Sequence, residues 1–336
     1  MLETTGARPL DAVQGPDPLT AAGGQTPVRV GIAGIGAALP GEVVTSDAIA
    51  ARFGVDGQWI ERRTGIRSRR RLGDGERLSD LATEAARAAL ADAGVDAADL
   101  DMVLVATLTA DELTPGCAPL VAHALGTTAA AIDLNAACVG FLSGLQLATA
   151  MIEAGRARAI LLVGAEAMLR ITDPEDRGTA MVFADGAGAA VVAAGAGELG
   201  PVVLRSDGAL APLIEVRHDE RHIRMDGHGT FINAVAALSS AAEEACAAAG
   251  LTLDDIDAFV FHQANRRILD AVADRLGIDR DRVVDVIADL GNTSAATLPL
   301  ALSIARDRGQ ITGGARVLLG AMGAGFVYGA GVLTWA

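Results

Sequence analysis

The strongest constraint on this chain is an internal duplication. Residues 93–105, AGVDAADLDMVLV, align without a gap on residues 249–261, AGLTLDDIDAFVF, 156 positions later. Each copy reads as a helix end at a glycine, an acidic turn, and then a buried strand. Farther along, Ile132-Asp133-Leu134 has a counterpart in Val284-Asp285-Val286, and ARAILLVG (157–164) has one in ARVLLG (315–320). A repeat this long is no solenoid unit, since those recur every 20–50 residues. It predicts two similar α/β domains packed as pseudo-symmetric halves, with the functional site where they meet. The count of buried strands in each half favours an α/β five-layer α-β-α-β-α sandwich. The expected division is a flexible tail over 1–27, a first half over 28–199 and a second over 200–336.

Composition narrows the class. The chain is 336 residues long with 51% hydrophobic residues, 40 Gly and only 3% aromatics, so its core is small aliphatic side chains in close packing. All 27 basic residues are Arg, and the net charge is −15. That charge argues against nucleic acid and against anionic membranes as partners, although a local Arg cluster can still hold a phosphate. Cys117, Cys138 and Cys246 show no CxxC spacing and cannot all pair, which points to a reducing compartment. Residues 1–27 lack the basic and apolar regions of a secretion signal, and no apolar run is long enough to span a membrane. The expectation is a cytoplasmic protein.

One stretch carries candidate chemistry, IDLNAACVGF over 132–141. It reads as a buried strand breaking into a small-residue corner, with Cys138 at the corner and an all-round apolar helix behind it. A cysteine at a helix N-terminus has its thiolate favoured by unpaired N–H groups and the macrodipole. A buried cysteine is also ordinary core material. Three strand ends in the second half add polar or glycine devices. Phe259-Val260-Phe261 runs into His262-Gln263-Ala264-Asn265-Arg266-Arg267; Val283–Ile287, read as a buried strand, runs into Asp289-Leu290-Gly291-Asn292-Thr293-Ser294; and the stretch from Val317 to Phe326 is a strand reaching a Gly-rich turn at Gly323-Ala324-Gly325. Chemistry at the carboxyl ends of strands is the α/β habit. The Arg-rich segment WIERRTGIRSRRR (59–71) reads as a cluster able to hold a phosphorylated, base-containing ligand beside Trp59. Gly34-x-Gly36 is half of a dinucleotide fingerprint, but Leu39 and Pro40 stand where its last glycine and helix belong.

With these residues in hand, the chain resembles the ketoacyl-acyl-carrier-protein synthase III family of the thiolase superfamily. The resemblance spans 28–336 and rests on WIERRTGIR (59–67), IDLNAACVGF (132–141), DRGTAMVFADGAG (176–188), FHQANRR (261–267), GNTSAAT (291–297) and GAGFVYG (323–329). It implies the duplicated five-layer thiolase-like fold. It also implies a transferase that loads an acyl group from acyl-CoA onto Cys138 and then condenses it with a malonyl thioester on acyl-carrier protein. His262 and Asn292 would assist decarboxylation, and backbone N–H groups of Cys138 and of Gly323, Ala324 and Gly325 would form an oxyanion hole. By the same resemblance, Trp59, Arg63, Arg177 and Asn265 bind coenzyme A, Arg266 and Arg267 dock the carrier protein, and Thr114, Phe183 and Phe231 shape the acyl pocket. Coenzyme A thioesters serve as substrates; no metal or resident cofactor is implied, and a homodimer is.

Thr114 stands where a bacterial branch of the family has a Phe reaching into the partner's acyl pocket, leaving room for a longer or branched primer. His228 replaces an Asn in the pantetheine-facing loop, Val55 replaces a hydroxyl residue, and 209–222 diverges. Two other readings stay open: an acyltransferase on this fold that forms an ester or amide without decarboxylation, and a non-catalytic carrier-binding partner subunit. A degradative thiolase would need a second cysteine as base in the C-terminal half, where only Cys246 stands, in an Ala-rich helix. His218-Asp219-Glu220-Arg221-His222 has its Glu misplaced for a zinc-protease motif.

Overall fold

The computed structural model describes residues 28–336; the tail expected over 1–27 lies outside the described residues. Two main sheets carry the fold. The first half supplies β1 (Val30–Ala38), β2 (Met102–Ala106), β3 (Ala130–Leu134), β4 (Ala159–Ala167) and β5 (Asp185–Ala194). The second supplies β6 (Glu198–Ser206), β7 (Ala258–Phe261), β8 (Arg316–Gly323) and β9 (Val327–Thr334). The first sheet runs β3-β2-β4-β5-β1, with β2 parallel to both neighbours and β5 antiparallel to both. The second runs β7-β8-β9-β6, with β7 parallel to β8 and β9 antiparallel to both neighbours. Each strand of the second sheet therefore repeats the order and direction of its counterpart. The expected division after residue 199 falls inside β6, which pairs with β9 in the second sheet on both sides of that point.

The counterpart of β3 is reduced to a parallel bridge between Phe259 and Val283. A strand expected over Val283–Ile287 stops there because a side chain takes over the ladder. The Gln263 amide donates to the carbonyls of Phe261 (2.9 Å) and Val284 (3.0 Å), and its oxygen accepts from Val286 N (3.1 Å). Asp285 then accepts from Ile287 N and starts a short helix, Ile287–Leu290.

Helices are α1 (Gly57–Thr64), α2 (Leu78–Ala93), α3 (Cys117–Leu125), α4 (Gly140–Glu153), α5 (Gly227–Ala248), α6 (Arg266–Leu276) and α7 (Thr297–Asp307). α4 and α7 lie between the sheets and touch strands of both. Strand side chains alternate between the two faces. Leu104, Ile160, Val260 and Leu319 meet Phe141, Leu142, Leu145, Leu298 and Leu302 in the middle. On the outer faces, Val103, Val105 and Leu161 lie under α2 and α3, while Phe259, Phe261 and Leu318 lie under α5 and α6. Both faces of both sheets are thus covered, which is why these strands read as continuous apolar runs. Each large aliphatic or aromatic side chain so buried contributes about 1.5–3 kcal/mol. The layers are α-β-α-β-α, as the repeat predicts.

Two further details differ from the sequence reading. β3 is an edge strand paired only with β2, and Ile132 on it is 53% exposed. Gly34 and Gly36 serve packing: a Cβ on either would lie 2.3–2.4 Å from backbone nitrogens of Ala93 or Ala89, so their absence lets α2 settle onto β1.

Candidate active site

The two central helices begin in the same way. After β3, the side-chain oxygen of Asn135 accepts from Ala137 N (3.2 Å), Ala137 adopts a left-handed φ of 46°, and one 3-10 turn, Ala137–Val139, leads into α4. After Gly291, the side-chain oxygen of Asn292 accepts from Ser294 N (2.9 Å), Ser294 adopts φ 49°, and Ser294–Ala296 leads into α7. A left-handed residue bearing a Cβ costs roughly 1–2 kcal/mol. Both halves bear that cost at the same place, and the two corners touch. Asn135 and Asn292 are equivalents, as are Ala137 and Ser294. The asparagine shared by the two corners, followed two residues later by Ala or Ser, was a sequence signal of this equivalence; the alignment through Val284-Asp285-Val286 misses it by a few residues.

Cys138 is thereby fixed at the N-terminal corner of a central helix, facing a cavity of about 430 Å³. His262 and Asn292 line the same cavity, with Gly323 and Ala324. His262 follows β7, its backbone N donating to Gly320 O (2.8 Å). Its ring is 1% exposed and Nδ1 has no partner. Asn292 is held through its backbone: its N donates to Val182 O (3.0 Å), and its carbonyl accepts from Ala184 N (2.9 Å). Because the Asn292 oxygen is committed to Ser294 N–H, the Nδ2 hydrogens remain available in the cavity. Gly323 lies so close to the nucleophile corner that a Cβ there would stand 2.9 Å from Cys138 N and 3.1 Å from its Cβ. Gly325 adopts a left-handed φ of 119°, but it does not line the cavity.

Electrostatics corrects the expectation of a thiolate favoured at rest. Burial pushes the Cys138 thiol up to about 12, with a smaller opposing effect from the Ser294 hydroxyl. Burial also lowers His262 to about 3. At neutral pH the resting pair is a neutral thiol and a neutral imidazole, and the helix N-terminus acts on the thiolate only as it forms.

The other predicted residues separate into groups. Phe183, Phe231, Arg63, Asn265 and Arg267 line the cavity, while Thr114 does not. Thr114 lies in an exposed loop beside Leu113, whose side chain is fully exposed. Outside the cavity, Trp59 has the guanidinium of Arg63 4.1 Å from its ring centroid and that of Arg177 at 5.1 Å. The Arg-rich cluster does not form one phosphate site. Arg67 pairs with Asp289, and Arg71 with Glu42 and Asp74. Arg69 is wholly buried, donates to Ala180 O and Ser46 Oγ, and is lowered to about 10 by that burial. Arg266 is engaged by Asp270 and Asp285, which leaves Arg267 the freer of the two docking candidates. Cys117 and Cys246 are buried core residues.

Sequence reading missed Glu166. It ends the apolar run of β4, is 0% exposed, and accepts from Thr109 Oγ1 (2.5 Å), Leu108 N (3.2 Å), Thr107 Oγ1 (3.3 Å) and, across the junction of the halves, Ser294 Oγ (3.0 Å). A single acid inside AILLVGAEA was the available signal.

Residues 132–208 match the family described as 3-Oxoacyl-[acyl-carrier-protein (ACP)] synthase III, and residues 246–335 match its C terminal counterpart. The chain belongs to this family. It is 45% identical over 309 residues to Beta-ketoacyl-[acyl-carrier-protein] synthase III 2 of Streptomyces coelicolor, covering 90% of this chain and 93% of that one. The crystal structure of 3-oxoacyl-(acyl carrier protein) synthase III, FabH, from Pseudomonas aeruginosa PAO1 superposes with a TM-score of 0.87 at 40% identity, over 91% of this chain and 98% of that one. The priming β-ketosynthase from the R1128 polyketide biosynthetic pathway is similar to the same degree, with a TM-score of 0.87 at 37% identity, over 94% and 99% of the two chains. The protein is an acyltransferase-type enzyme of the synthase III family with the thiolase-like fold. No helix among the described residues is long and apolar enough to cross a membrane.

Proposed function

We propose that the chain transfers an acyl group from acyl-CoA to Cys138 and condenses it, with loss of CO2, with a malonyl thioester on acyl-carrier protein, giving a β-ketoacyl thioester. The observation that carries this reading is the convergence of Cys138 from the first half with His262 and Asn292 from the second on one cavity closed by Gly323. Residues 28–199 supply the nucleophile and residues 200–336 the groups for condensation. Cys138 attacks the thioester carbonyl, and the Cys138 N–H with N–H groups of the Gly323–Gly325 turn receive the oxyanion. The C–S bond to coenzyme A breaks, and the proton given up by the Cys138 thiol ends on the departing sulfur, so that coenzyme A leaves as its thiol. The malonyl thioester then takes its place, with its carbonyl oxygen accepting from neutral His262 and from Asn292 Nδ2. Loss of CO2 leaves an enolate held by those two donors, and its carbon attacks the acyl-Cys138.

His262 suits that donor role, since burial keeps it neutral and unpaired. For coenzyme A, Trp59 with Arg63 and Arg177 offers a stacking face and cations for the adenine and phosphates, and Asn265 lies along the entry. Arg267 at the rim suits an acidic carrier protein. The free edge of β3 at Ile132 and the exposed Leu113-Thr114 loop suit burial against a second copy, from which Thr114 would approach the partner's acyl pocket. We place the enzyme in the cytoplasm, where acyl-CoA is available.

Intact-protein mass spectrometry tests the reading. Incubation with acyl-CoA adds one acyl mass to the wild type and none to Cys138→Ala; a variant that still gains the mass refutes the nucleophile. His262→Ala and Asn292→Ala should still acylate while releasing CO2 from malonyl-carrier protein at least 100-fold more slowly, in line with about 3 kcal/mol for a lost oxyanion donor. Unchanged CO2 release in both would favour an ester- or amide-forming acyltransferase.

A further inference from the structure

Glu166 has no part in the mechanism above, yet hydrogen bonds join it to the asparagine that the mechanism uses. One of its oxygens accepts from Thr109 Oγ1, Leu108 N and Thr107 Oγ1. The two threonine hydroxyls are fixed in turn, since they accept from Ala167 N (2.8 Å) and Thr109 N (3.1 Å), which directs their protons to the carboxylate. The other oxygen reaches across the junction of the halves to Ser294 Oγ, 3.0 Å away. The repeat that equates Gly164 with Gly320 equates Glu166 with Met322 on the cavity wall. The first half thus has a polar anchor where the second has an apolar side chain.

Ser294 is the strained residue of the second corner. With φ 49° it lies in the left-handed region, and in that conformation its N–H donates to the Asn292 side-chain oxygen at 2.9 Å. A left-handed residue bearing a Cβ persists only where its surroundings hold it. Here the hold is the hydrogen bond from the Ser294 hydroxyl to a fully buried carboxyl group, which breaking would leave unpaired on that side. We propose that Glu166 is a positioning residue for decarboxylation: through the Ser294 hydroxyl it holds the left-handed turn that aims the Asn292 amide at the malonyl thioester. The role is geometric, and no proton is transferred. At the first corner Ala137 keeps the same turn without a hydroxyl, packed against Gly323. Asn135 there does not line the cavity, so close placement of its amide is not required.

The inference rests on the condensation reading, and its test separates the two. CO2 release from malonyl-carrier protein is followed in a single turnover on enzyme already acylated, so that loading does not enter. Ser294→Ala removes the link to Glu166 yet keeps the N–H that holds Asn292, and Ala137 shows that alanine accepts this turn. It should release CO2 about tenfold more slowly, the rate equivalent of one strained left-handed residue. The concentration of malonyl-carrier protein giving half the maximal rate should stay within about twofold. In an Asn292→Ala background, adding Ser294→Ala should slow release no further, because the anchor acts through the asparagine. Glu166→Gln can keep the link, with its amide donating to Ser294 Oγ, and should stay within about threefold of the wild type. Wild-type speed in Ser294→Ala beside a slow Asn292→Ala overturns the positioning role. Equal slowing by Ser294→Ala in both backgrounds also overturns it, as does Glu166→Gln as slow as Ser294→Ala. CO2 release left unchanged by Asn292→Ala refutes the condensation reading itself.

Discussion

Replacing Gly323 by Ala tests whether the glycine turn and the nucleophile corner act as one device. The Gly323 backbone is extended, with φ −165° and ψ −173°, so alanine meets no conformational penalty there. The cost is contact. The new methyl would stand 2.9 Å from Cys138 N and 3.1 Å from Cys138 Cβ, with Ala137 Cβ at 3.4 Å. Ordinary carbon contacts lie near 3.5–4.0 Å, so the corner must retreat by roughly half an ångström. Such overpacking costs about 1–3 kcal/mol of stability, which a domain of this size can bear. The Cys138 amide is displaced from the oxyanion position, and loss of one such donor slows acyl transfer by about 10²–10³. The assay is the rate of acyl-mass appearance on the intact protein after mixing with acyl-CoA, alongside thermal unfolding. The expected result is acylation slowed by about 100-fold with Tm lowered by only a few degrees. Gly41→Ala, where a Cβ meets nothing within 4 Å, is the matched control. Acylation within twofold of wild type in Gly323→Ala would refute the coupling of turn and corner.

Two further outcomes follow from burial and stacking. Glu166 has a folded pKa raised from 4.5 to about 7, so its contribution to stability is fully present below pH 4.5 and is lost as pH rises through 7. Glu166→Gln, with its oxygen toward the three donors and its amide toward Ser294, should therefore raise Tm at pH 8 and not at pH 4.5; the gain is on the order of 3 kcal/mol at most, and equal Tm changes at both pH values would contradict it. Trp59→Ala should raise KM for acyl-CoA several-fold while leaving the maximal acylation rate within about twofold, because it removes uniform binding alone; a fall in the maximal rate instead would place Trp59 in the chemistry.

The same physics explains which parts of the site were legible from sequence. His262, Asn292 and the glycine turn were visible because polar or glycine devices at the ends of apolar strands have little to do with packing. The β3 edge was not: Ile132 belongs to an apolar run whether a neighbouring strand covers it or not. The Arg-rich segment misled for a related reason. Arg67, Arg69 and Arg71 are near neighbours in sequence, but in the β-ribbon formed by Ser68–Arg71 and Glu42–Thr45 Arg69 is wholly buried against Ala180 and Ser46, while Arg71, opposite Glu42 at the end of the ribbon, reaches Glu42 and Asp74.

What the sequence by itself determined was the duplication and the layered fold, which rest on periodicity along the chain; Cys138, His262 and Asn292 were nominated as reacting residues by the resemblance to a known family. What only the tertiary structure decided was how deeply the site is buried and that Glu166 meets Ser294 at the junction of the halves. A thiol at a helix N-terminus looks activated when only its own helix is considered. Its titration is governed instead by desolvation and by groups brought from 28 residues away in Glu166 and 156 in Ser294. Those terms depend on distance through space, which sequence spacing does not encode.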